Sequence, residues 1–202
     1  MLESQTQFYT LISAVATFLD GWTIEPMDEE RMSSIAISNS DGAALWLRPD
    51  TYEFNPETSR VKIGGSYPNH NGFPTISNQE TRSTITVAAN RGPEAIAKSI
   101  QSRFLPKYLP LYAKGLRIKQ QYEERDRRRT DTLCTIAEAA GSEFNPDKHS
   151  DISQAKVYIG YYKHPNGHGH AEVDSSGGVR LQLSDVPVEV AERILGLWKE
   201  SS

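Results

Sequence analysis

The stretch from Pro93 to Gly141 has the spacing of one long helix, yet its middle carries almost no apolar side to bury. Gly92-Pro93-Glu94 marks the start, since proline suits the first turn and an acid there faces the positive end of the helix dipole. Ile96, Ala97, Ile100, Phe104 and Leu105 follow at helical spacing. Pro106 and Pro110 predict a kink or a short break, because an internal proline removes a backbone bond and clashes with the turn before it. From Leu111 to Gly141 the pattern is helical again. Leu105, Leu109, Tyr112 and Leu116 share a face, but Lys119, Glu123, Arg127 and Thr130 continue it. The apolar stripe resumes only at Leu133, Cys134 and Ala137. Roughly 25 Å of helix is therefore left with little to bury. That predicts a helix bridging two parts of the chain through solvent.

Across from the interrupted stripe, Lys114, Arg117, Gln121, Arg125 and Arg128 fall at steps of three and four, with Arg129 beside them. The stripe is about 20 Å long. Its charge stands out against the rest of the chain. Residues 1–90 hold 11 acids and 5 bases, residues 91–130 hold 4 acids and 11 bases, and residues 131–202 hold 11 acids and 6 bases. The net values of −6, +7 and −5 give the whole-chain −4, so the overall charge misleads about partners. Three readings compete. The stripe is an anion-binding rod for nucleic-acid phosphates; or a solvated helix balanced by Glu123, Glu124 and Asp126; or an internal complement to the acidic flanks.

With 202 residues, one or two domains are expected. The single cysteine, Cys134, excludes an intrachain disulfide. Its place on the resumed apolar face predicts a small buried hydrophobe rather than a reactive thiol. Glu3 stands where a secretory leader would be basic, and the apolar run Leu11–Leu19 ends in Asp20-Gly21-Trp22. No run approaches the roughly 20 apolar residues of a membrane span. A cytoplasmic protein without membrane contact is expected.

Phe8, Leu11, Ile12, Val15, Phe18 and Leu19 give a first helical face. Trp22 and Ile24 open the first sheet, and Pro26 to Arg31 reads as an acidic loop. Ser34–Ser38 and Ala43–Arg48 flank Asn39-Ser40-Asp41-Gly42 and predict a hairpin. Ile35, Ile37, Leu45 and Leu47 then face one way and Trp46 the other, as a second-face core residue or an exposed stacking platform. Arg60–Gly64 and Thr84–Ala88 read as strands around a long polar loop, Gly65–Arg82. Further on, Lys156–Lys163 is a strand with Val157, Ile159 and Tyr161 on one face. Pro165-Asn166-Gly167 makes a turn, and His168–Asp174 and Val179–Leu183 form a second hairpin around Ser175-Ser176-Gly177-Gly178. A last helix from about Pro187 to Lys199, capped by Asp185, is expected to bury Val190, Ala191, Ile194, Leu197 and Trp198.

These elements predict an α+β chain of two lobes, each an antiparallel sheet of three or four strands packed with helices. The lobes are residues 1–110 and 132–202, joined by a basic helix over 111–131. Pro93-Glu94-Ala95-Ile96-Ala97-Lys98-Ser99-Ile100 matches Pro187-Val188-Glu189-Val190-Ala191-Glu192-Arg193-Ile194 at proline, alanine and isoleucine, which suggests an internal duplication. The order helix, strands, helix also resembles double-stranded RNA-binding domains, in topology only and over about seventy residues. That family grips phosphates with lysines at the start of its last helix. Val188, Glu189 and Glu192 stand there in this chain, so the family's site does not carry over.

No catalytic motif stands out. His168, His170 and Glu172 share a strand face near His164, but three same-face residues span about 13 Å, too far for one ion without a bulge. Asp50 with Glu53 or Glu57 lacks the acid-x-lysine partner of a metal nuclease. Phosphate-cradling glycine loops and nucleophile elbows are missing. The expectation is a binding protein rather than an enzyme, with no cofactor and no metal, engaging nucleic acid or a nucleoprotein through Lys114, Arg117, Arg125, Arg128 and Arg129. The runner-up is a protein-interaction or inhibitor protein, phage or mobile-element encoded, that sets its acidic lobes against a basic partner. A metal-dependent hydrolase using His164, His168, His170 or Asp50 ranks third. The chain is expected to be a monomer, or a homodimer that buries Leu116, Ile118 and Tyr122.

Overall fold

The computed structural model describes residues 3–25, 34–149, 151–160 and 168–200, with the backbone alone over 197–200. The acidic loop read at 26–31, the end of the strand read to Lys163 with Tyr161 and Tyr162, His164, and the turn at Pro165 lie outside the described residues, as do the side chains of Leu197 and Trp198. The chain is α+β, with antiparallel sheets, and it divides into two compact units, residues 1–119 and 120–202.

The first unit opens with α1 (Glu3–Thr17) and builds a five-stranded sheet from β1 (Trp22–Ile24), β2 (Ile35–Asn39), β3 (Ala44–Pro49), β4 (Arg60–Ser66) and β7 (Thr84–Ala88) in that spatial order. Trp22–Ile24 adds at the edge, which brings the count to five. The β2–β3 turn is set by Asn39, whose Oδ1 accepts from the Asp41 and Ala43 amides, while Gly42 takes φ 78°. This fixes the pairing of Ile35 with Leu47 and of Ile37 with Leu45. All four side chains are buried, because alternation sends them to the same face. Phe8, Ile12 and Val15 of α1 cover that face together with Ile96, Ala97 and Ile100.

The loop from Gly65 to Arg82 is not structureless. It holds a short hairpin of β5 (Asn69–His70) and β6 (Phe73–Pro74), then a single turn, α2 (Asn78–Thr81). Thr75 donates its hydroxyl to the Pro68 carbonyl at 2.7 Å, and Ile76 is buried. Gly115 lets this loop come close: a Cβ there would stand 3.0 to 3.2 Å from Pro68, Thr75 and Ile76.

Of the kink or short break expected at Pro106 and Pro110, the break does not occur. Helix α3 (Gly92–Ser99) passes through a π turn at Ile100–Phe104 into α4 (Leu105–Ala139), with Pro110 inside it. The wide turn bonds the Leu105 amide to the Ile100 carbonyl, five residues back. Its winding also explains the buried series Ile96, Ile100, Phe104 and Tyr108. In a regular helix, steps of four overshoot by about 40° each and walk off the face. A π turn rotates less per residue and returns Phe104 and Tyr108 to the sheet. The Tyr108 hydroxyl lies 2.8 Å from the Ser66 carbonyl and 3.0 Å from that of Ala44, and it accepts from the Ala44 amide at 3.1 Å.

In the second unit, the C-terminal part of α4 supplies Leu133 and Ala137 to a smaller core with Ile152, Ala155, Val157 and Val173. Its sheet has the order β10 (Val179–Ser184), β9 (His168–Val173), β8 (Lys156–Ile159). Two expectations fail here. Cys134 is exposed, one residue and so about 100° away from Leu133. Nor is the described part of the apolar side of α5 (Val188–Glu200) fully buried: Val190 and Ala191 are half-buried, and Ile194 is 37 % exposed.

Candidate nucleic-acid interface

The structure sorts the basic residues of α4 into three kinds. Lys114 is exposed but engaged: its Nζ lies 2.7 Å from Glu80 Oε1 and so ties α2 to α4. That bond, with a second from the Ser77 hydroxyl, holds the Glu80 carboxyl below its usual value. Arg127 and Arg128 are exposed and share one carboxylate. Arg128 Nε donates to Glu124 Oε1 at 2.8 Å, and Arg127 donates to the other oxygen. The Arg128 bond is the main reason Glu124 titrates low.

Arg117 and Arg125 are exposed and make no ion pair among the described residues. Arg125 rests its guanidinium 5.5 Å from the centre of the Tyr122 ring. An exposed cation–π contact of that kind is worth about 0.5–1 kcal/mol, weak enough to yield to a ligand.

Arg129 is unlike the others. It is only 6 % exposed, its Nε donates to the Val173 carbonyl at 3.0 Å, and its Nη1 lies 3.8 Å from Asp126. Its chemistry is spent on fastening α4 to β9, so it does not belong to the exposed stripe. The signal was available: Arg129, Leu133 and Ala137 follow one another at steps of four.

Beside Arg125 and Arg128, the second unit has a cleft of about 290 Å³. Glu124, Arg129, Val173 and the turn Asp174–Gly177 line it as well, with Gln121 and Thr132. Sequence reading took that turn only as a hairpin connection. Its geometry is fixed by Asp174, whose Oδ1 accepts from the Ser176 amide and hydroxyl and the Gly178 amide. These bonds, the Ser176 hydroxyl first, hold the Asp174 carboxyl low. The carboxylate is thereby held ionised, with Oδ1 occupied by its own turn, and Ser175 lines the cleft beside it.

The histidine cluster is used otherwise. His168 Nδ1 lies 3.6 Å from Asp185, and His170 Nε2 is 3.3 Å from Lys156 Nζ. Burial alone would raise the Glu172 carboxyl, but Lys156 and Arg180 outweigh it and hold it low. Among the described residues, no three His, Cys, Asp or Glu side chains are grouped to hold a metal ion. No described helix is long and apolar enough to cross a membrane. No protein-family model matches the chain, and neither curated proteins nor solved structures provide a match.

Proposed function

We propose that this protein binds nucleic acid through the exposed basic face of α4, with Arg117, Arg125 and Arg128 as principal phosphate contacts and Lys114 in a secondary place. The observation that carries the reading is the exposure of Arg117 and Arg125 without a carboxylate partner among the described residues, on a helix segment, 114–129, with seven bases and three acids. A helix that only needed solubility would pair such charges along its own surface, as Arg127 and Arg128 do. Exposed guanidiniums without a carboxylate partner among the described residues, as at Arg117 and Arg125, suit a backbone of regularly spaced phosphates.

Three to four phosphate contacts give a slope of log K against log salt of about −3 to −4 on duplex DNA. Fluorescence anisotropy with a labelled 20-base-pair duplex at several salt concentrations measures it. Arg117→Ala, Arg125→Ala and Arg128→Ala together should weaken every sequence alike and flatten the slope. No binding at low salt, or binding indifferent to the triple change, overturns the proposal.

A second reading is favoured by one observation in the second unit. Val179 and Leu181 on β10, and Val188, Ile194 and Leu195 on α5, are all exposed. Exposed apolar side chains in this number suit a protein partner. Capture of a partner that survives the triple change and is lost with Leu181→Ser and Leu195→Ser would favour that role.

A further inference from the structure

The sheet of the first unit has a second face, turned away from α1 and α3. Alternation places Trp46 and Arg48 of β3, Arg60, Lys62 and Gly64 of β4, and Thr84 and Thr86 of β7 on it. Arg48, Arg60 and Thr84 are exposed, and Trp46, Lys62 and Thr86 are half-buried. The register sets Trp46 opposite Gly64 and Arg48 opposite Lys62. A Cβ at Gly64 would stand 2.1 Å from Cζ2 of Trp46 and 2.4 Å from Cε2, so the indole lies across the glycine. The Arg48 guanidinium sits 5.4 Å from the ring centre.

The charge of this face opposes that of residues 1–90, in which its strands lie. Strands β2, β3, β4 and β7 contain no Asp or Glu, although residues 1–90 carry a net −6. Glu25, at the end of the edge strand β1, and Asp50, whose Oδ1 accepts from the Arg60 amide at 2.7 Å, stand at the margins. An aromatic ring laid on a sheet, with cations beside it and the neighbouring acids among the described residues at the rim, matches a ligand with flat π faces and a negative backbone.

We propose that this face binds single-stranded nucleic acid, with an unpaired base stacked on Trp46 and the adjoining phosphates held by Arg48, Arg60 and Lys62. It rests on the nucleic-acid reading above but uses a different surface. A base offers the indole a larger face than a guanidinium does, so the base replaces Arg48 on the ring and Arg48 turns to a phosphate. Duplex offers this ring no free base face, since its bases are already stacked on one another. The cleft of about 1030 Å³ at the strand ends shares Arg48 and Lys62, but Glu3, Asp50 and Glu53 also line it. Phosphates are repelled there, so the bound strand runs across β4 toward β7 and not into the cleft.

The test uses the full chain, a labelled oligothymidine of twelve nucleotides and the labelled duplex. Single strand should quench the tryptophan fluorescence of the wild type. Trp46→Leu should lose that quenching and about tenfold in single-strand affinity, while duplex affinity stays within about twofold. Lys62→Glu, a half-buried site with no bonded partner among the described residues, should weaken single-strand binding in the same direction and serves if Trp46→Leu does not fold. Single-strand binding that is unchanged in both variants overturns the proposal, even if duplex still depends on Arg117, Arg125 and Arg128. Loss in both variants with no duplex binding at all supports it and removes the helix reading instead. Failure of the wild type to bind either probe overturns both.

Discussion

The phenol ring of Tyr108 lies over Gly65, where a Cβ would stand 2.2 Å from the ring. One residue earlier, Gly64 receives Trp46 on the other face of the same strand. Two adjacent glycines thus let two large rings rest directly on the sheet, one from each side.

Gly65→Ala should therefore destabilise the first unit by about 1–3 kcal/mol, because the ring has no room to retreat from a packed core. Tyr108→Phe keeps the ring but leaves the Ala44 amide without its acceptor, at a cost of about 1–3 kcal/mol. Urea unfolding followed by tryptophan fluorescence measures both. A change below 0.5 kcal/mol in either, on the order of an ordinary surface substitution, would contradict the packing described.

Arg129→Met should behave as a core substitution and not as the loss of a phosphate contact. The Val173 carbonyl loses its partner and the second unit loses about 1–3 kcal/mol. Arg125→Ala, on the exposed side, should change stability by no more than about 1 kcal/mol, the worth of its contact with Tyr122. Hydrogen exchange over β9, measured for both variants, separates the two roles: protection falls in the first and is kept in the second.

Glu124→Gln removes the carboxylate that Arg127 and Arg128 share. Both guanidiniums are then available, and duplex affinity at low salt should rise several-fold, on the order of one added phosphate contact. Unchanged or weaker binding would place the phosphates away from this turn of the helix.

The Asp174 turn supplies a pH dependence with a definite sign. Its folded-state carboxyl lies below the ordinary value of 3.8, so the unfolded chain takes up its proton first as pH falls. The stabilisation is complete above that ordinary value and is lost as pH drops through the lowered one. The amide signals of Ser176 and Gly178 should titrate with a midpoint below 3.8, and Asp174→Asn should abolish the titration. A midpoint at or above the ordinary value would mean that the turn is not held by this carboxylate.

Much of this architecture is legible in the sequence where one physical rule acts alone. Alternation of Ile35, Ile37, Leu45 and Leu47 around Asn39–Gly42 gives the hairpin, its register and the opposite facing of Trp46. Charge is harder to read, because a guanidinium is compatible with water, a carboxylate or a buried carbonyl. Arg117 and Arg129 look alike by composition, and only the acceptor on β9 separates them. Burial of α5 was misjudged for a related reason: an amphipathic pattern states what a helix is able to cover, not whether a neighbour is there. Cys134 shows how sharply a helix face ends, since its neighbour Leu133 is fully buried. The π turn, which widens the helix just before Pro106, has no composition of its own and so is not legible in the sequence.

That wide turn carries one residue more than regular winding needs, the kind of surplus a single-codon insertion leaves behind. Were the turn to wind evenly with every residue kept, each later side chain of the first unit's helix would be re-aimed by about 100°. Lys107 would then arrive where Tyr108 now meets the paired glycines, and no phenol would reach the β3–β4 edge. The frame of this helix is thus counted from its irregular turn.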